Sequence, residues 1–132
     1  MRQKKTFSVK SRIQSFALAF AGLLDMLTTE PNAWIHATAT VFVLGLSWWL
    51  RIERKEFALI VGAIVAVWVA EAFNTVLELM VDMVAPKQYS VMAKRAKDIA
   101  AAAVLVASLG AVVIGIAILG PSLYTRLSAF AF

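Results

Sequence analysis

Charged residues cut this chain into long apolar blocks. From Pro31 to Leu50 there are twenty residues with no formal charge apart from His36, and the block closes on Trp48 and Trp49. That length suits one membrane-crossing helix, and paired tryptophans suit its interfacial end. A charged cluster, Arg51 to Glu56, separates it from a second block, Phe57 to about Val84, with Pro86 as the expected stop. The third block, Ile99 to Thr125, runs twenty-seven residues without a charge and offers Gly110, Gly115 and Gly120 for close helix contact. Ahead of these, Ile13, Phe16, Phe20, Leu23, Leu24 and Leu27 recur at helical spacing within Ser11 to Thr29. Too short to cross, that segment reads as an amphipathic helix lying on the membrane surface. The expectation is an all-α membrane protein in one domain spanning residues 1–132. It has a surface helix over about 11–29 and spans over about 31–50, 57–84 and 99–125.

Composition narrows the class. Hydrophobic residues make up 61% of 132 positions against 16% charged, and a soluble domain of this size has too little interior to hide so much apolar surface. The formal net charge of +5 falls on no soluble segment that interleaves basic and aromatic residues, so nucleic acid is not the expected partner. Anionic head groups or a polyphosphate are. With no cysteine, disulfides and thiolate metal sites are excluded. The basic start, Met1 to Lys10, precedes no convincing cleavage site before Glu30 and reads as mature protein.

Lysines and arginines set the orientation. Arg2, Lys4, Lys5, Lys10 and Arg12 precede the first span, and Lys87, Lys94, Arg95 and Lys97 lie between the second and third. These nine face four on the other side, Arg51, Arg54, Lys55 and Arg126. The N-terminus is therefore expected in the cytoplasm and the C-terminus outside.

The second span carries the anomaly. Glu71, Asn74, Glu78 and Asp82 are three, four and four residues apart, which places them within roughly an 80° arc of one helix face. Carboxylates in a span are costly unless they meet cations, water or protons, and such groups are functional candidates by default. Oxygen donors of this kind suit Mg²⁺, which takes one or two carboxylates and fills its remaining positions with water and phosphate oxygens. A short basic loop, Lys94, Arg95 and Lys97 followed by Asp98, is expected on the same side. Alone it would be a positive-inside anchor; beside the acidic stripe it supplies cations for phosphate. Glu30, directly before Pro31, reads on its own as a helix-start cap. His36, about a turn into the first span, reads as a helix-contact histidine.

Glu-Ala-Phe-Asn-Thr-Val-Leu-Glu-Leu-Met-Val-Asp (71–82) resembles the E-x-x-N-(S/T)-x-x-E-x-x-x-D signature of the prokaryotic diacylglycerol kinase and undecaprenol kinase family. Ala93-Lys94-Arg95-Ala96-Lys97-Asp98-Ile99 resembles its second motif, and Thr29-Glu30-Pro31-Asn32 with Ile35-His36 is similar to its upstream segment. The resemblance covers about residues 12–108. It implies an ATP-dependent lipid kinase of the bacterial inner membrane, a homotrimer of three-span protomers with active sites shared between protomers. Glu71 would be the base for the lipid hydroxyl, and Glu30 and Glu78 would hold Mg²⁺. Asn74, Asp82, Lys97, Asp98 and Arg12 would contact the nucleotide or organise its site. Undecaprenol is the favoured acceptor and diacylglycerol the next, from the Glu-Pro-Asn-x-x-Ile-His version of the upstream segment.

Ala17, Ala21, Leu24 and Trp34 stand where family members commonly carry basic residues, and Lys10 and Arg12 are the available substitutes. Two other readings follow: a membrane protein whose carboxylates bind or pass a cation without catalysis, and a kinase-like protein of reduced activity.

Overall fold

The computed structural model describes residues 8–84 and 90–129. Pro86, Lys87 and the basic residues Arg2, Lys4 and Lys5 lie outside these. Four helices follow one another: α1 (Val9–Thr29), α2 (Pro31–Leu50), α3 (Arg54–Val84) and α4 (Val91–Ser128). The last three are each long and apolar enough to cross a membrane.

Each boundary has a local cause. Glu30 is the only residue between α1 and α2, and it is extended (φ −103°, ψ 114°). The ring of Pro31 disfavours a helical residue before it, while proline itself fits the first helical position. The Glu30 amide still closes α1 onto Met26 O at 3.0 Å, and its carbonyl accepts from Ala33 N at 3.1 Å to open α2. α2 stops at Arg51, the one non-glycine residue among those described with positive φ (55°). The left-handed turn lets Arg51 N reach Trp48 O and Ile52 N reach Ser47 O, satisfying carbonyls that the helix end leaves open. Three residues later α3 begins under half of a capping box, in which Glu53 N donates to Glu56 Oε2 at 3.0 Å.

Two starts fall earlier than expected. α3 begins at Arg54, not near Phe57, because the capping glutamates pull the charged cluster into its first turn. α4 begins at Val91, eight residues before Ile99, with the Ser90 hydroxyl accepting from Ala93 N at 3.3 Å. Lys94, Arg95, Lys97 and Asp98 therefore stand on the first two turns of a helix rather than in a loop. Charge marks where a helix leaves lipid; it does not mark where the helix ends.

α3 and α4 run antiparallel and make the most extensive helix pair. The interior is small: Leu50, Ile60 and Leu119 are buried together and joined by Leu46, Ile64 and Ile118 at the end of the bundle away from Glu30. Most other apolar side chains point outward, and on α1 Ile13, Phe16, Phe20 and Leu24 are all exposed. Gly110, Gly115 and Gly120 make no close helix contact within the chain, for a Cβ added at any of them would meet no atom within 4 Å.

Candidate active site

About five turns of α3 separate its capped start from Glu71, and there the helix turns polar side chains inward. Glu71 is 1% exposed, and Asn74 and Thr75 are buried beside it. Glu78, two turns on, is half-buried, and Asp82 is exposed. The stripe thus runs from a closed interior to an open end.

What surrounds Glu71 is unusual for a buried carboxylate. Both its oxygens are shut off from solvent and have no hydrogen-bond partner, and the same holds for Asn74 Oδ1 and Thr75 Oγ1. The nearest basic group is His36 on α2, whose Nε2 lies 3.6 Å from Glu71 Oε2, too far for a hydrogen bond. Glu30 and Glu78 are close enough for their charges to act on Glu71 as well. Buried polar groups left without partners cost folding free energy, so a cluster of them marks a place where something beyond the chain's own groups is expected to bind.

His36 is held from behind. Its ring meets the Trp68 ring edge to face, with centroids 6.5 Å apart, and Trp68 Nε1 donates to Thr40 Oγ1 at 3.0 Å. This links α2 to α3 a turn below Glu71. Trp68→Phe keeps the ring contact and deletes the hydrogen bond. It is expected to cost about 0.6 kcal/mol, the average for interhelical hydrogen bonds in a membrane, measured as unfolding of the purified protein in mixed micelles.

Asn74 and Glu30 acquire specific positions. Asn74 Nδ2 donates to Glu78 Oε1 at 3.0 Å, one turn along α3, which fixes the carboxylate's direction. Glu30 sits at the α1–α2 junction, but its side chain makes no cap hydrogen bond to α2. The carboxylate expected to serve the helix start is therefore available to the stripe. Two carboxylates with hard oxygen donors fit Mg²⁺, and among the described residues no cluster of three or more acidic or histidine side chains would enclose the ion.

The basic motif meets the stripe at its open end. Lys97 Nζ reaches across from α4 to Asp82 Oδ1 at 2.6 Å, while Asp98 is engaged by Lys94 at 2.6 Å along α4 itself. Lys97 and Asp98, adjacent in sequence, thus serve different partners. Arg12 stands near the start of α1. It lies eighteen residues before Glu30, about 27 Å along the axis of α1.

Sequence periodicity located the stripe but assigned little to His36 and nothing to Thr75, Trp68 or Thr40. The E-x-x-N-T spacing carries Thr75, and a lone histidine in an otherwise uncharged span was the available signal for His36.

Comparison with known proteins places these residues in a family. The family model described as prokaryotic diacylglycerol kinase matches residues 17–119. The chain is 37% identical over 109 residues to a diacylglycerol kinase of Synechocystis, covering 83% of this chain and 62% of that protein. It is 34% identical over 110 residues to the undecaprenol kinase of Bacillus subtilis, covering 83% and 89%. The Escherichia coli K12 diacylglycerol kinase is 28% identical over 101 residues, covering 76% and 82%. Every residue of the site from Glu30 to Asp98 falls inside the matched region.

Proposed function

Since the chain belongs to the prokaryotic diacylglycerol kinase family, we propose that it transfers the γ-phosphate of ATP to the hydroxyl of a membrane lipid alcohol. The observation that carries this reading is the buried, unpartnered Glu71 carboxylate, flanked by His36 and by the charges of Glu30 and Glu78. A base for a lipid hydroxyl must sit at membrane depth, and a metal–triphosphate must be reached from water. The stripe offers both along one helix.

In this reading Glu71 takes the proton of the lipid hydroxyl as its oxygen bonds to the γ-phosphorus and the β–γ bridging oxygen leaves with ADP. Glu30 and Glu78 would hold Mg²⁺, which when bound neutralises charge on the triphosphate. Asn74 keeps Glu78 turned to that task through its 3.0 Å hydrogen bond. Lys97, anchored by Asp82, and Asp98, anchored by Lys94, line the open end where the nucleotide arrives. Arg12, on α1, would contact the nucleotide, in a homotrimer whose active sites are shared between protomers.

The charge asymmetry supports an inner-membrane protein with the Glu78 end facing the cytoplasm. The exposed apolar residues of α1 support its lying against the membrane surface. Undecaprenol is the first acceptor to assay and diacylglycerol the second, because the Glu-Pro-Asn-x-x-Ile-His and Ala-Lys-Asp-Ile-Ala-Ala versions of the two segments look closer to the undecaprenol kinase branch. The cation-passing alternative has lost its motivation, since kinase-family membership accounts for the carboxylates.

Purified protein in lipid micelles, supplied with Mg-ATP and each lipid alcohol in turn, is expected to form a lipid phosphate at the expense of ATP. Absence of any lipid phosphate, together with cation flux through the protein in liposomes, would sink the kinase reading. Nucleotide binding without transfer to either lipid would point to a kinase-like protein of reduced activity.

A further inference from the structure

At the end of the bundle away from Glu30 and Glu78, the C-terminus of α2, the start of α3 and the last turns of α4 enclose a cavity of about 630 Å³. Its lining is two-natured. Leu44, Trp48, Trp49 and Phe57 form an apolar side, and Arg51 and Arg126 supply two guanidinium groups. We propose that this cavity is a second lipid site, which holds the phosphate of an anionic phospholipid head group between Arg126 and Arg51 and its glycerol and upper chains against the tryptophans.

Three independent features support it. First, Arg126 lies with its guanidinium carbon 5.3 Å from the centroid of Trp49. A guanidinium held over an aromatic ring by cation–π attraction still presents its planar fork of N–H donors, which grips a phosphate in bidentate fashion. Second, Arg126 Nε is shut off from solvent and has no hydrogen-bond partner. A buried orphan donor on a cation is costly unless an acceptor completes it. Third, the local charge is unbalanced. Arg51, Arg54, Lys55 and Arg126 stand against Glu53 and Glu56, four positive against two negative. One of those carboxylates is occupied in capping the Glu53 amide. Among the described residues neither Arg51 nor Arg126 forms an ion pair.

The ligand class follows from the lining. A free phosphate would satisfy the arginines but leave the apolar wall facing water, whereas a lipid phosphate brings its own apolar portion. The left-handed conformation of Arg51 (φ 55°) bends the chain immediately after the tryptophan pair, so its side chain and Trp48–Trp49 lie at one rim. The volume is within the range of small-ligand sites.

The test uses the full chain in nanodiscs of equimolar phosphatidylcholine and phosphatidylglycerol, with retained lipids read by native mass spectrometry. The wild-type protein is expected to keep phosphatidylglycerol in preference to phosphatidylcholine, and Arg126→Gln to lower that preference about tenfold, the worth of ~1.4 kcal/mol. Arg51→Asn, chosen because asparagine tolerates the left-handed position, is expected to lower it without disturbing the fold, which keeps the test decisive if Arg126→Gln folds poorly. Glu71→Gln is expected to retain the lipid as wild type does, separating this site from the proposed kinase centre. Unchanged retention in Arg51→Asn and Arg126→Gln would overturn the proposal, as would loss of the lipid in Glu71→Gln. Binding of inorganic phosphate with no retained phosphatidylglycerol would overturn the lipid assignment.

Discussion

A Glu71→Gln protein is expected to bind Mg-ATP nearly as the wild type does and to form lipid phosphate about 10²–10⁴-fold more slowly, the usual contribution of a positioned base. The substitution is close to isosteric, so the packing of α3 against α2 is retained. What it removes is the proposed proton acceptor. The carboxylate is 1% exposed and neither oxygen has a hydrogen-bond partner, so in the folded chain it is an energetic burden. A neutral amide at the same position is therefore expected to leave stability unchanged or raise it, the pattern of a residue kept for activity at a cost in stability. Three measurements check this together: turnover with saturating lipid alcohol, nucleotide binding in the presence of Mg²⁺, and the unfolding midpoint in micelles. Near-normal turnover would remove Glu71 from the role of base.

The second large effect is expected at Glu78 and separates metal binding from proton transfer. Glu78→Gln should weaken metal-dependent nucleotide binding by about tenfold or more, ~1.4 kcal/mol or above, because one of only two carboxylates proposed for the ion is neutralised. Asn74 offers a graded version. Its amide donates to Glu78 Oε1, and loss of a group that orients a metal ligand typically costs 10–100-fold in metal affinity. Asn74→Leu should accordingly raise the Mg²⁺ concentration for half-maximal nucleotide binding, and excess Mg²⁺ should recover it. Titrating Mg²⁺ at fixed ATP, by calorimetry or nucleotide fluorescence, distinguishes the two variants from Glu71→Gln, whose defect excess Mg²⁺ leaves in place. If Glu78→Gln binds Mg-ATP as tightly as the wild type, the metal assignment fails.

These variants bear on different depths of one helix, and the depth is a tertiary property. Spacing alone puts Glu71, Asn74, Glu78 and Asp82 on a common face. It carries no information on which of them is covered. α2 covers Glu71, with His36 3.6 Å away and Trp68 bonded to Thr40 a turn below, while Asp82 emerges beyond the end of that packing and meets Lys97 from α4. Lys97 and Asp98 look like a pair when read along the chain. In a helix adjacent residues point about 100° apart, so each takes a different partner. Glu30 looks like a cap for the same reason of proximity, yet its side chain makes no cap hydrogen bond to the α2 amides.

The sequence by itself determined the helical class, the number of helices long enough to cross a membrane, the acidic face and the family signature. All of these follow from local period, run length and residue order, which survive without knowledge of any long-range contact. The tertiary structure decided which carboxylate is sealed from solvent and what stands beside it. It also joined Trp49 to Arg126 across seventy-seven positions of chain. Those outcomes depend on how α2, α3 and α4 pack side by side. Burial and pairing across helices are set by neighbours distant in sequence, and no local pattern encodes them.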